Sequence, residues 1–137
     1  MRYQKMSLKY IKDVVELENA NYITPWKYEC FKKRINDNRY KSYIAFSDSS
    51  ELIGYMIVIN SDRGWFIENL TVAKDHRRKG VATIFINMAI NVAKPDNIKI
   101  LVQDIFLDMH LTLKNRGFKA IGVEKDDDGD DHYLFVN

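Results

Sequence analysis

The sequence is poor in the features that mark secreted, membrane-spanning or repetitive proteins. Its 137 residues include one cysteine, two prolines and six glycines, and no apolar run approaches the roughly 20 residues that span a bilayer. Cys30 can form no internal disulfide and has no CxxC partner for zinc. Residues 1–6 lack the apolar core and cleavage site of a signal peptide. We therefore expect a single domain over residues 1–137, located in the cytoplasm and without a membrane partner.

An excess of one charge is also missing. Twenty-one lysines and arginines stand against 19 aspartates and glutamates, which gives a formal net charge of +2. General nucleic-acid binders carry a much larger basic excess, so we expect no nucleic-acid partner. The three histidines, His76, His110 and His132, are far apart and have no spacing typical of metal ligands. We therefore expect no metal.

Hydrophobic patterns predict an α/β fold with one central mixed sheet. Residues 52–59 are almost continuously apolar and predict a buried strand, joined by a turn at 60–64 to a strand over 65–72. Residues 80–94 predict an amphipathic helix that Pro95 ends. The residues expected on its buried face are Val81, Ile84, Phe85, Met88, Ala89 and Val92. Further helices are predicted from Ser7 (as N-cap) to about residue 20, after Pro25 and over 107–115, and further strands over 42–46, 98–102, 118–123 and 133–136. The predicted order is β-α-α-β-β-β-α-β-α-β-β.

A basic loop separates the strand that ends at Val72 from the helix that begins at Gly80. Helix N-termini present unpaired N–H groups and the positive end of the helix dipole, and therefore bind anions. Gly80 lets a ligand approach the backbone, and the three preceding residues are all basic. This combination fits a pyrophosphate site, although the charges alone are more simply explained as a solvated helix entry. The glycine patterns of P-loop and Rossmann proteins are absent.

The chain resembles the GNAT family of acyl-CoA-dependent N-acetyltransferases in three places. Arg77, Gly80 and Ala82 match the family's Arg-x-x-Gly-x-Ala signature, and residues 67–72 resemble the family's fourth strand. Residues 113–118 are similar to its Leu-Tyr-x-x-x-Gly-Phe segment. The resemblance covers essentially the whole chain. It implies a twisted, mostly antiparallel sheet flanked by about four helices, with a V-shaped opening between strands 4 and 5.

The same resemblance implies that acetyl-CoA is the co-substrate and lies in that opening. Its pantetheine amides would pair with the backbone of Leu70, Thr71 and Val72, and its pyrophosphate would contact the loop and the first helical turn. The residues expected to hold it there are Arg77, Arg78, Lys79, Gly80, Val81, Ala82 and Thr83.

Glu68 is the candidate catalytic base. Acetylation requires a neutral amine, so a base must remove a proton from the acceptor ammonium. Strand alternation predicts that Glu68 shares a face with Phe66, Leu70 and Val72, and an apolar face favours proton uptake by a carboxylate. Several GNAT enzymes carry a glutamate base at the corresponding position. The alternative is a structural carboxylate, hydrogen-bonded to a loop or paired with an arginine.

Three positions depart from the family pattern. Leu113 stands where many GNAT enzymes place a tyrosine general acid, and Phe106 replaces a frequent asparagine. Leu101 stands where ribosomal-protein acetyltransferases of the family carry a glutamate. His110 or Tyr133 could substitute for the tyrosine, although ordinary packing roles are the favoured interpretation. These departures leave open an alternative function, a catalytically weak CoA-binding sensor or partner module.

The expected acceptor is a primary amine. Residues 24–31 are similar to the Pro-Trp-x-x-x-x-Phe segment of the RimI-like branch, which acetylates protein N-termini, so Trp26 is a candidate acceptor-binding residue or a packing residue. The acidic run at 126–131 would attract a polyamine, an aminoglycoside or a lysine-rich segment, or is simply a solvated hairpin turn. We expect a monomer or a homodimer, the latter through an exposed strand at 133–136.

Overall fold

The structure, a computed structural model, describes residues 1–137 and arranges them around one seven-stranded sheet. The strands are β1 (Arg2–Lys5), β2 (Tyr40–Phe46), β3 (Leu52–Ser61), β4 (Gly64–Val72), β5 (Ile98–Gln103), β6 (Lys119–Lys125) and β7 (Asp131–Val136). The α-helices are α1 (Ile11–Asn21), α2 (Tyr28–Ile35), α3 (Val81–Ala93) and α4 (Leu107–Asn115). None of these helices has the length and apolar character needed to cross a bilayer.

The sheet has the order β1-β2-β3-β4-β5-β7-β6, and its only parallel pair is β4 with β5. That pair is short: Trp65 lies opposite Ile98, and the pairing ends where Ile67 lies opposite Ile100. Beyond this point the two strands no longer pair, so the predicted V-shaped opening between strands 4 and 5 is confirmed. The predicted exposed edge at 133–136 is wrong, because β7 lies between β5 and β6.

Helices cover both faces of the sheet and form two apolar clusters. On one face, Phe85 and Ala89 of α3 pack with Met56 and Val58 of β3. On the other face, side chains of α1 and α2 pack with Tyr55 of β3; they include Ile11, Val14 and Phe31. Residues 53–58 of β3 are therefore buried on both sides, as their continuous apolar sequence predicts, apart from Gly54, which has no side chain to bury.

The predicted order of strands and helices is confirmed, and the differences are local. Ser7 makes no side-chain cap, and a 3₁₀ turn at Leu8–Tyr10 precedes α1. In α3 the buried residues are Val81, Phe85, Ile86, Ala89 and Ala93. Ile84, predicted to face inward, is 39% exposed. Because α3 is apolar almost all round, its periodicity does not determine which apolar side chains the sheet covers.

We expect Gly54→Ala to destabilise the fold by about 1–3 kcal/mol, because a β-carbon cannot be accommodated there. A Cβ atom at Gly54 would lie 2.9 Å from the carbonyl oxygen of Thr71 and 3.2 Å from the ring of Phe85. Gly122→Ala on β6 is the matched control, since a Cβ there meets no atom within 4 Å. Urea denaturation measures both variants, and equal midpoints would contradict the close approach of β4, α3 and β3.

Candidate active site

A cleft of about 870 Å³ occupies the space between the separated ends of β4 and β5. The end of α1, the start of α3 and the start of α4 complete its walls. This volume lies within the usual range for small-molecule and cofactor sites. Among the residues predicted to form the site, those that line it are Trp26, Glu68, Leu70, Thr71, Val72, Arg77, Arg78, Gly80, Val81, Ala82 and Thr83. Lys79 is the one predicted site residue that does not.

The edge of β4 that faces the cleft has main-chain groups without a strand partner. The N–H of Ala73 donates to the carbonyl of Ile53 on β3, at 2.7 Å. Because hydrogen-bonded pairs alternate along an antiparallel ladder, the main chain of Thr71 also faces β3, whereas that of Leu70 and Val72 faces the cleft. An extended ligand could therefore pair with β4 where β5 has left it.

The loop before α3 and the first turn of that helix present a run of unpaired amides. The main-chain N–H groups of residues 78–83 donate no hydrogen bond within the protein. The next main-chain amide, of Ile84, donates to the carbonyl of Gly80 at 3.1 Å. Arg78 and Gly80 have φ angles of 62° and 85°, both in the left-handed region. Successive N–H groups in such a loop, at the positive end of a helix, form a concave site for an anion.

The basic side chains of this loop do not act as one cluster. Arg77 turns inward: its Nε donates to the carbonyl of Val72 at 3.1 Å, and its guanidinium donates to Oδ1 of Asn21 at 2.6 Å. It thereby connects the loop to β4 and α1. Arg78 lies 3.3 Å from Asp108 of α4, and both side chains are largely exposed. The property that residues 78–83 share is consequently a run of unpaired main-chain amides, rather than the cluster of three charges that the sequence suggested.

Glu68 occupies a β-bulge. Ile57 lies opposite Asn69, but the next residue of β3 lies opposite Ile67, so Glu68 is an extra residue on β4. Alternation is interrupted there, and the side chains of Glu68 and Asn69 both contact helices of the α1–α2 face. The prediction that Glu68 shares a face with Leu70 and Val72 is therefore wrong, since those two residues contribute to the α3 cluster.

The carboxylate of Glu68 forms an ion pair and also reaches the cleft. Its Oε1 accepts from Nε of Arg34 at 2.5 Å, and Arg34 in turn donates to the carbonyl of Cys30 at 2.9 Å. The guanidinium of Arg34 lies 4.1 Å from the ring centroid of Trp26, which also packs against Phe31. Oε2 of Glu68 accepts no hydrogen bond within the protein, and the side chain is 24% exposed. Glu68 is therefore both paired with an arginine and accessible from the cleft.

A second carboxylate in the cleft wall, Glu18 of α1, was missed by the sequence analysis. It is only 2% exposed and accepts hydrogen bonds from the hydroxyl of Tyr55, from Nδ2 of Asn69 at 2.9 Å and from the main-chain N–H of Trp26 at 2.8 Å. Burial and this carboxylate raise the pKa of Tyr55. The sequence did contain a signal, because Glu18 falls at i+7 on the stripe of Ile11 and Val14.

Tyr22 and Thr71 extend this network across the cleft wall. The hydroxyl oxygen of Tyr22 lies 2.7 Å from Oγ1 of Thr71, and Thr71 donates to Oδ1 of Asn69 at 2.9 Å. Burial raises the pKa of the Tyr22 phenol. The network therefore braces β4 against α1 on the side opposite the α3 cluster.

The comparisons with known proteins agree with this geometry. The family model described as Acetyltransferase (GNAT) family matches residues 11–118. The chain belongs to the GNAT family. It is 23% identical, over 93% of its length and 89% of the relative's, to a Bacillus subtilis (strain 168) protein provisionally named a ribosomal protein bS18-alanine N-acetyltransferase. The resemblance to GNAT N-acetyltransferases, and to their RimI-like branch, is confirmed.

Two solved structures show how closely the fold agrees. The ribosomal-protein-S18-alanine N-acetyltransferase of Escherichia coli superposes with a TM-score of 0.85 at 13% identity, covering 98% of this chain and 91% of that one. NAA60 of Arabidopsis thaliana in complex with acetyl-CoA gives a TM-score of 0.85 at 16% identity, covering 99% and 97%. The predicted GNAT fold is therefore confirmed.

The positions that depart from the GNAT pattern lie in two different environments. Leu113 is fully buried in the core, whereas Leu101 and Phe106 are exposed at the cleft. Neither His110 nor Tyr133 lines the cleft; Nε2 of His110 lies 3.0 Å from the carbonyl of Gln103, and its ring packs against Tyr133. Neither residue is therefore placed to replace the family's tyrosine.

The acidic run forms the hairpin loop between β6 and β7. The carboxylate of Asp126 accepts from the amides of Asp128 and Asp130, both at 2.9 Å, and lies 2.9 Å from Nε2 of His132. These contacts lower the pKa of Asp126. No group of three or more His, Cys, Asp or Glu side chains has an arrangement that could hold a metal ion. The turn interpretation of the run is thus the one that the structure supports.

We expect the same chemical change, tyrosine to phenylalanine, to have different effects on stability where it removes two buried hydroxyl groups. Tyr55→Phe removes a donor from the buried Glu18 carboxylate and should destabilise the protein by about 1.5–3 kcal/mol. Tyr3→Phe removes a buried hydroxyl that has no partner and should be neutral or stabilising. Chemical denaturation measures both, and a Tyr55→Phe variant as stable as the wild type would contradict the role of Glu18 as the centre of the network.

Proposed function

We propose that this GNAT protein transfers an acetyl group from acetyl-CoA to a primary amine, with the co-substrate in the cleft between β4 and β5. The observation that carries the proposal is the run of unpaired amides at residues 78–83 beside the open edge of β4. The amides fit an anionic diphosphate, and the main-chain groups of Leu70 and the N–H of Val72 fit the amides of an extended pantetheine arm. The residues present are therefore suited to this co-substrate.

When bound, acetyl-CoA supplies the acetyl group and a thiol leaving group. The amides of residues 78–83 would hold the diphosphate, and Arg78 and Lys79 would add charge at its outer side. Leu70 and the N–H of Val72 would orient the pantetheine arm, while Arg77 keeps the end of β4 in place through the carbonyl of Val72. Most of these roles belong to the main chain, so they tolerate changes of side chain.

In this proposal Glu68 is the base. The acceptor arrives as an ammonium and must lose a proton before its nitrogen can attack a carbonyl carbon. Arg34 holds Oε1 of Glu68, so Oε2 is the atom that would receive the proton, directly or through one water molecule. The proton then passes to solvent at the mouth of the cleft. Arg34 thus fixes the orientation of the carboxylate without occupying both of its oxygens.

The acceptor we favour is the N-terminal amine of a protein. The Escherichia coli and Bacillus subtilis relatives are named as N-acetyltransferases of an alanine in a ribosomal protein. Trp26, in the segment between α1 and α2, lines the cleft. Polyamines are a second acceptor class, because the carboxylates of the exposed turn at 126–130, which lies outside the lining of the cleft, would attract a polycation. A peptide that begins with alanine and spermidine are therefore the two probes to compare.

A second function, a CoA-binding module with weak chemistry, is favoured by one observation. Leu113, at the position of the family's tyrosine general acid, is fully buried and offers no proton to a leaving thiolate. This alternative predicts CoA binding without measurable acetylation of either probe. Acetylation of the peptide or of spermidine in multiple turnovers would exclude it.

We expect acetyl-CoA and CoA to raise the melting temperature by several degrees at about 100 times their Kd, where ligand binding adds roughly 2.7 kcal/mol. Pantetheine, which lacks the diphosphate, should give a much smaller shift, and ATP at the same concentration should give none. Differential scanning fluorimetry measures all four. The proposed cleft is wrong if neither CoA species stabilises the protein.

We expect Glu68→Gln to lower kcat at least about tenfold while the Kd for acetyl-CoA stays unchanged, because the amide cannot accept the ammonium proton. Glu29→Gln is the matched control, since Glu29 is exposed on α2 and makes no hydrogen bond or ion pair. Initial rates with the alanine-initiated peptide and calorimetry with acetyl-CoA separate the two quantities. Turnover equal to that of the control would remove Glu68 from the mechanism.

A further inference from the structure

Four side chains in the cleft wall form a continuous hydrogen-bonded chain between α1 and β4: Glu18, Asn69, Thr71 and Tyr22. The distances are 2.9 Å from Nδ2 of Asn69 to Oε1 of Glu18, 2.9 Å from Oγ1 of Thr71 to Oδ1 of Asn69, and 2.7 Å from the hydroxyl of Tyr22 to Oγ1 of Thr71. Glu18 and Thr71 are buried, at 2% and 3% exposure. Tyr22 is half-buried, and all four residues line the cleft.

The chemistry of these groups determines the direction of every hydrogen bond. A carboxylate only accepts, so Asn69 must turn its NH₂ group to Glu18 and its oxygen to Thr71. An amide oxygen also only accepts, so Thr71 gives its single hydroxyl proton to Asn69. Tyr22 must therefore donate its own proton to Thr71. The Tyr22 oxygen then has only lone pairs left, and it can accept a hydrogen bond from a ligand but cannot donate one.

The charge at the far end of the chain has no cation partner within the protein. Glu18 takes part in none of the ion pairs, and its three donors, from Tyr55, Asn69 and Trp26, are all neutral. Each hydrogen bond in the chain points its dipole toward that carboxylate, which makes the Tyr22 oxygen more negative. Glu68, by contrast, has its charge matched by Arg34.

Arg77 does not supply the cation that the Glu18 network lacks. Arg77 is near enough to lower the pKa of the phenol slightly against the larger effect of burial. Its guanidinium, however, donates to Asn21 and to the carbonyl of Val72. The lone pairs of the Tyr22 oxygen therefore remain available to a group that enters the cleft.

We infer that the hydroxyl of Tyr22 binds the ammonium group of the acceptor and makes the cleft selective for a protonated amine. An ammonium has hydrogen-bond donors and no acceptor, and it carries the positive charge that is missing around Glu18. The inference rests on the proposed function and adds to it a residue that recognises the acceptor. Tyr22 is a binding residue in this role, distinct from Glu68, which receives the proton.

We expect Tyr22→Phe to raise KM for the alanine-initiated peptide about tenfold or more, with little change in KM for acetyl-CoA, because a hydrogen bond to a charged group is lost. Thr71→Val should have the same effect, since Tyr22 would then turn its proton toward the cleft. Thr71→Ser, which keeps the hydroxyl group, should have the wild-type KM. Tyr28→Phe is the control, because Tyr28 is exposed on α2 and outside the cleft. Unchanged peptide KM in both Tyr22→Phe and Thr71→Val would overturn the inference.

Tyrosine NMR gives a readout that does not require turnover. Labelling the eight tyrosines with ¹³Cζ and comparing wild type with Tyr22→Phe identifies the Tyr22 signal. In the CoA complex, this signal should move and saturate with the peptide and stay in place with the same peptide acetylated at its N-terminus. A Tyr22 signal unmoved at peptide concentrations that saturate turnover would overturn the inference and leave the proposed function standing. A protein that binds no CoA species would overturn the proposed function and, with it, the acceptor role of Tyr22, whether or not the peptide moves the signal.

Discussion

β4 and β5 pair over only three residues each and then separate, and the rest of the site depends on that separation. A continued ladder would use the main-chain groups of Leu70 and Val72 in strand pairing and would leave no cleft. The separation instead exposes these groups beside the start of α3, where the amides of residues 78–83 have no internal partner. One interruption of pairing therefore places an open strand edge beside a run of unpaired amides.

A strand that loses one neighbour must be held by its other contacts. On the β3 side the antiparallel ladder continues to Val72, and Gly54 permits the close approach of α3. On the α1 face the Glu18 network binds Asn69 and Thr71, and Arg77 fixes the end of the strand to Asn21. The bulge at Glu68 places two consecutive polar side chains on this face, which makes the network possible.

The two carboxylates of the cleft show how far sequence reasoning reached. Glu68 was found because it stands at a recognisable position of a GNAT strand, and an arginine partner was one of the alternatives considered for it. Which arginine pairs with Glu68 could not be inferred, because Arg34 lies far from it in the chain. The bulge that sets its direction depends on register with β3, which alternation within β4 does not encode. Glu18 was overlooked although its spacing from Ile11 and Val14 marked it as a polar residue on a buried stripe.

The sequence by itself determined the order of strands and helices, the doubly buried β3, the basic, glycine-containing loop before α3 and the resemblance to the GNAT family. The strands, helices and turns follow from local patterns, because hydrophobic period and turn residues act over a few positions. The resemblance to the family rests on short motifs such as Arg77-x-x-Gly80-x-Ala82. Only the tertiary structure decided which side chains meet: Arg77 with Asn21, Arg34 with Glu68, and Tyr22 with Thr71. Such contacts join residues distant in the chain, and they depend on strand register and helix placement, which no local pattern specifies.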